Sequence, residues 1–127
     1  MKKEIVNTTQ APAPIGPYNQ SVKFGNMLFV SGQIPYNEAT QQLVETGIAD
    51  ETHQVMKNIG YILDEAGFTF DDVVKATIFI QNMDDFSTIN EVYAQYFNPD
   101  SAPARECVQV ARLPRNVNIE ISVICGK

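Results

Sequence analysis

Apolar residues recur along this chain with two different periods. From about Ile48 to Ala66 they fall at Val55, Met56, Ile59, Ile62, Leu63 and Ala66, the single stripe of an amphipathic helix. Gly67 suits the position just past its end. Phe86, Ile89, Val92, Tyr93, Tyr96 and Phe97 repeat the helical spacing. Asn82 or Asp84 can cap that second helix, and Asn98-Pro99 stops it. Elsewhere the pattern is that of strands. Val73 to Ile80 is rich in β-branched residues. Val22–Phe24 and Met27–Ser31 flank Gly25-Asn26, a two-residue hairpin turn with glycine first. Gly32-Gln33-Ile34-Pro35 ends the second of these strands, and the polar stretch Asn37–Gln42 turns the chain before Leu43-Val44. Two further alternating stretches, Ala104–Pro114 and Val117–Val123, close the chain. The prolines of Ala11–Tyr18 remove donors and fix φ, so that segment reads as an ordered loop.

The order is therefore roughly β-β-β-α-β-α-β-β. It predicts a single α+β domain over residues 1–127, with a mainly antiparallel sheet and two helices packed on one face. The other sheet face needs cover, which a partner subunit would supply. No repeat, linker or low-complexity segment interrupts the pattern.

Composition narrows the function classes. The chain has 127 residues, 44% of them hydrophobic, enough for a substantial core. Its net charge of −6 and pI of about 4.6 argue against nucleic-acid binding, which needs clustered lysine and arginine. The amino-terminal Met1-Lys2-Lys3-Glu4-Ile5-Val6-Asn7 has no apolar run behind its lysines and is not a signal peptide. No stretch approaches the roughly 20 apolar residues of a membrane helix. The two cysteines, Cys107 and Cys125, lie in strand-like segments without a CxxC spacing, which fits reduced thiols in a cytoplasmic protein. A single histidine, His53, excludes a multi-histidine metal site.

Candidate chemistry concentrates near the carboxyl end. Alternation places Arg105, Cys107 and Gln109 on one strand face, opposite Val108 and Val110. A guanidinium fork there matches a carboxylate in two parallel hydrogen bonds. Glu120 stands on the polar face of the next strand, so an anion-binding arginine, a thiol and a candidate general base are expected within one short carboxyl-terminal hairpin. Taken alone, each has a plainer reading. Arg105 also fits an interface salt bridge, Glu120 a solvated strand residue and Cys107 a small apolar residue. Tyr18 fits a loop anchor, Ser31 the end of a strand and Asn90 an exposed helix residue. Arg112, Arg115 and His53 read as exposed positions.

Ile15-Gly16-Pro17-Tyr18, Val30-Ser31-Gly32-Gln33-Ile34-Pro35, Val74-Lys75-Ala76-Thr77, Asn90-Glu91-Val92-Tyr93 and Ala104-Arg105-Glu106-Cys107-Val108 through Leu113-Pro114 together resemble the RidA/YjgF family, over nearly the whole chain. The resemblance implies a chorismate-mutase-like fold, a homotrimer with active sites in clefts between subunits, and enamine/imine deaminase activity. Such enzymes hydrolyse 2-iminopropanoate and 2-iminobutanoate, formed from 2-aminoacrylate and 2-aminocrotonate, to 2-oxo acids and ammonia. No metal or organic cofactor is implied. Arg105 would bind the substrate carboxylate and Glu120 would activate or orient the water. The backbone of Gly32 and Cys107 would bind the ligand, with Tyr18, Ser31 and Asn90 lining the cleft. Small imines from serine and threonine are the expected substrates. The chain departs from the family pattern at Glu106, where relatives carry a small polar residue, and at Gln109, where an acidic one is common; neither is expected to remove the activity. A trimer that binds small carboxylates or 2-oxo acids without turnover is the alternative. A ribonuclease is disfavoured by the acidic balance.

Overall fold

The computed structural model describes residues 2–127; Met1, which opens the amino-terminal segment discussed above, lies outside them. Strands β1 (Glu4–Val6), β2 (Ser21–Phe24), β3 (Met27–Gln33), β4 (Tyr36–Asn37) and β5 (Gln42–Leu43) precede helix α1 (Ile48–Ala66). Strand β6 (Val73–Ile80), helix α2 (Phe86–Ala94), β7 (Ala104–Gln109) and β8 (Ile119–Gly126) follow. Six strands form one sheet in the order β1-β2-β3-β8-β6-β7, and β4 and β5 pair as a separate ribbon. Every neighbouring pair in the large sheet is antiparallel except β6 with β7. With α1 and α2 on one face, this is the α+β fold expected from the pattern.

The local signals hold. Val55, Met56, Ile59, Ile62, Leu63 and Ala66 are all buried along α1, each worth about 1.5–3 kcal/mol where a large side chain leaves water. Gly67 closes the helix at φ 80°, a left-handed conformation that a side chain would disfavour. Gly25 has φ 63° and Asn26 does not share the positive sign, the pattern of a turn with glycine at its first central position. Asn82 accepts a hydrogen bond from the Asp84 backbone, capping a short 3₁₀ turn that leads into α2. The helix itself ends at Ala94, and Tyr96 and Phe97 pack on the core from beyond its end. β1 was not foreseen, because three residues carry too little alternation to read.

The larger difference concerns the carboxyl-terminal strands, which do not form a hairpin. β7 runs parallel to β6 at the sheet edge, and β8 lies on the other side of β6, between it and β3. The reason lies in burial. Ile119, Ile121, Val123 and Cys125 of β8 are all buried beneath the helices, so hydrophobic burial favours the centre of the sheet for this strand. β7 offers only the half-buried Cys107. The opposite sheet face is open to solvent and partly apolar: Phe24, Phe29, Val74 and Val108 are exposed, Phe29 and Val108 each at 44%.

Candidate active site

Register decides where the chemical side chains point. Arg105 pairs with Ala76 and Cys107 with Ile78, both buried on the helix side. Arg105 therefore faces α2. Its guanidinium donates to Asn90 Oδ1 at 2.7 Å and lies 5.0 Å from the Tyr93 ring centre and 5.6 Å from that of Phe86. Asn90 and Tyr93 are three residues apart, so one helical face carries both. The arginine is exposed, yet a hydrogen bond and two aromatic faces hold its orientation. Burial pushes the Cys107 thiol pKa up, opposed by Arg105. A thiol so placed is a poor nucleophile at neutral pH.

Glu120 pairs with Phe79 on the other side of β6, and its side chain belongs to the open face. Strand β3 is irregular between Val30 and Gln33, and the Glu120 carboxylate lies over Gly32 in that irregularity. A Cβ on residue 32 would come within 2.5 Å of Glu120 Oε2, so only glycine lets the carboxylate rest there. Burial alone raises the Glu120 pKa, with no hydrogen bond or charge opposing it. Arg105 and Glu120, expected together in one hairpin, thus occupy opposite faces of the sheet with β6 between them.

The remaining expected residues divide between these two places. Asn90 and Cys107 lie with Arg105. Gly32 and Tyr18 line a cavity of about 410 Å³, together with Gln20, Tyr36, Glu38 and Arg115. Tyr18 is 51% exposed, and its hydroxyl accepts from the Ile15 backbone at 3.4 Å. Ser31 donates to Asn19 O at 2.6 Å, which ties the strand end to the loop before β2. The proline-rich loop is held by the buried Gln20, whose amide reaches the carbonyls of Thr8, Ala11 and Pro12.

Several residues here were missed from the pattern. Tyr93 reads as core and is 5% exposed, but it is also the shelf beneath Arg105; its spacing from Asn90 was the available signal. Its hydroxyl has no hydrogen-bond partner among the described residues. Arg115 remains exposed, as expected, but its guanidinium carbon lies over the Tyr36 ring, 5.2 Å from the centre, at the cavity. His53 is half-buried rather than exposed and pairs through Nδ1 with the Tyr96 hydroxyl at 2.9 Å, away from either place. Among the described residues no group of three or more His, Cys, Asp or Glu side chains is placed to hold a metal ion, and no helix is long and apolar enough to cross a membrane.

Known proteins share this sequence pattern and this fold. The family model described as endoribonuclease L-PSP matches residues 8–126. A RutC family protein of Pyrococcus horikoshii is 50% identical over 98% of this chain and 98% of its own. The mouse protein named 2-iminobutanoate/2-iminopropanoate deaminase is 44% identical over 96% of this chain and 90% of its own. The crystal structure of Escherichia coli TdcF with bound serine superposes with a TM-score of 0.91 at 43% identity, covering 98% of each chain. The motifs, the fold and these matches agree: the chain belongs to the endoribonuclease L-PSP family, the RidA/YjgF family that its sequence resembles.

Proposed function

We propose that this protein is a cytoplasmic enamine/imine deaminase that hydrolyses 2-iminopropanoate and 2-iminobutanoate to 2-oxo acids and ammonia. The observation that carries the reading is the complementarity of two incomplete half-sites. Arg105 is an oriented guanidinium open to solvent. Glu120 is a half-buried carboxylate that no hydrogen bond or ion pair meets among the described residues. A 2-imino acid asks for both. Its carboxylate fits the arginine fork, and the adjacent C=N carbon needs a water held and deprotonated beside it. In that chemistry Glu120 takes a proton from the water as its oxygen bonds to carbon, and the C=N electron pair moves onto nitrogen. Glu120 returns that proton to the nitrogen, and transfer of the added hydroxyl's proton to the nitrogen then breaks the C–N bond, releasing ammonia and leaving the 2-oxo acid. The activity named for the mouse relative supports the reading, as does the amino acid bound to the Escherichia coli protein.

The two half-sites are on opposite faces of one chain, so one molecule of substrate reaches both only across an interface. We infer a homotrimer in which the open face of one subunit receives the β7 edge of another. The exposed Phe29, Val74 and Val108 are the surface such an assembly would cover. Tyr18, Ser31 and Gly32 would then line the cleft from the Glu120 side, and Asn90 and the Cys107 backbone from the Arg105 side.

The test is a coupled assay in which a serine/threonine dehydratase generates the imine and conversion to 2-oxo acid is followed. Wild type is expected to accelerate it and Arg105→Ala to do so no longer. Equal acceleration by both would place the chemistry elsewhere. A folded wild type that binds 2-oxobutanoate without accelerating anything would establish the non-catalytic binding protein instead.

A further inference from the structure

We propose that Arg115 forms a second anion-binding subsite in the Tyr18–Gly32 cavity, and that this subsite selects 2-imino acids bearing a second carboxylate. The inference deepens the deaminase reading and rests on it for the word imino. The placement of Arg115 argues for it first. Its guanidinium carbon lies over the Tyr36 ring, 5.2 Å from the centre, and the residue lines the cavity that Gly32 also walls. The ring holds the cation by its π face without accepting a hydrogen bond from it, so the fork of guanidinium donors stays available to an oxygen pair. The one ion pair among the described residues joins Lys75 to Glu106, so no carboxylate among them takes those donors.

The surroundings brace this position. The Tyr36 hydroxyl hydrogen-bonds Gln41 Oε1 at 3.2 Å, and Gln41 Nε2 donates to Glu38 Oε1 at 2.9 Å. The acidic group on the cavity wall is thereby tied to an amide, and the ring beneath Arg115 is fixed. The backbone is held just as firmly. Arg115 and Asn116 have φ of 57° and 56°, a left-handed conformation that L-residues other than glycine adopt at a cost. Arg112 Nε donates to Asn116 Oδ1 at 3.0 Å. Two residues on, Asn118 donates to both oxygens of the buried Glu51 at 3.1 and 3.2 Å. A loop made to keep a charged side chain in a disfavoured conformation is positioned rather than free.

Size points the same way. The cavity of about 410 Å³ falls in the range of about 300–1,000 Å³ that encloses drug-sized ligands. A four-carbon imino acid would leave much of it unfilled, whereas an acid with a second carboxylate would span further into it. Among the described residues, Arg115 is the one arginine that lines it.

The experiment compares substrates matched in chain length. Imines are generated in situ by amino-acid oxidases from glutamate and from 2-aminopentanoate, and kcat/KM is measured for wild type, Arg115→Asn and Arg115→Lys. Asparagine tolerates positive φ, so the first variant keeps the loop. The ratio of the two kcat/KM values is expected to fall about tenfold or more in Arg115→Asn, the loss of one charge-assisted pair, and to recover in part in Arg115→Lys. An unaltered ratio overturns the subsite. Binding of 2-oxoglutarate against 2-oxopentanoate is measured by calorimetry on the same proteins. Should wild type hydrolyse neither imine, the dehydratase-coupled assay decides the deaminase reading separately, and the binding ratio still decides the subsite. A preference for the dicarboxylate that is lost with Arg115 upholds the subsite, and no preference overturns it.

Discussion

β7 and β8 follow one another in the chain, alternate in the same way, and end in unlike surroundings. β8 is central and buries four side chains beneath the helices. β7 is an edge strand with one half-buried residue. Each carries one of the two proposed catalytic groups, and the groups differ as their strands do. Arg105 has its neighbours already: Asn90 accepts from it and two rings lie beneath it. Glu120 lies against Gly32 with no polar partner among the described residues, and burial without compensation holds its pKa up. A cation at an edge is oriented cheaply because water still solvates it. A carboxylate on a central strand is desolvated, which costs stability and raises basicity together. One side of the proposed site is therefore built for binding and the other for proton transfer.

The contrast between the strands can be broken most severely by cutting into β8. Ile121→Ala, at a fully buried position, is expected to cost about 2–5 kcal/mol, while Val108→Ala on β7 should cost under about 1 kcal/mol in the isolated subunit. Urea denaturation of both variants measures this, and equal losses would contradict the central and edge assignment.

Removing either chemical group comes next. Arg105→Ala and Glu120→Gln are each expected to lower kcat/KM by about 10²–10³ without loss of the fold. Mixed one to one and reassembled, the two inactive variants should regain activity at about a quarter of their sites if each site draws Arg105 from one subunit and Glu120 from its neighbour. No recovery would contradict an intersubunit site.

Gly32→Ala tests the seat of the carboxylate. The added Cβ would meet Glu120 Oε2 at 2.5 Å, so the side chain must move. A displacement near 1 Å is expected to reduce kcat about a hundredfold, readable in the coupled assay alongside a crystal structure of the variant. Unchanged kcat would show that Glu120 need not sit there.

The smallest effect concerns pH and Glu120. Its folded pKa lies above its unfolded one. Between the two values the native state holds more protons, so stability falls as pH rises through that window, and the full cost is present above it. Glu120→Gln is expected to raise the melting temperature at pH 7 by a few degrees and to lose this pH dependence. The acidic limb of the wild-type kcat/KM profile should lie above the ordinary carboxylate range, since the base must be ionised to act. A melting temperature that drops in Glu120→Gln would contradict an uncompensated carboxylate.

The amino-acid pattern carries local information. Hydrophobic burial acts on whichever face repeats, so the α1 stripe, the β8 alternation and the faces of Arg105 and Glu120 within their own strands were all readable from spacing. Glycine and proline fixed the turns at Gly25 and Gly67 through backbone geometry. Spacing along the chain says nothing about which strands pair. The expected hairpin failed because β6, thirty residues earlier, interposes between β7 and β8, and only the sum of buried contacts across the whole sheet decides that order. The tertiary structure alone brought Asn90 and Tyr93 of α2 under Arg105, laid Glu120 on Gly32 across a strand irregularity, and set Arg115 in a left-handed turn against Tyr36. Each of these depends on residues far apart in the chain meeting at ångström distances, which a periodic pattern does not encode.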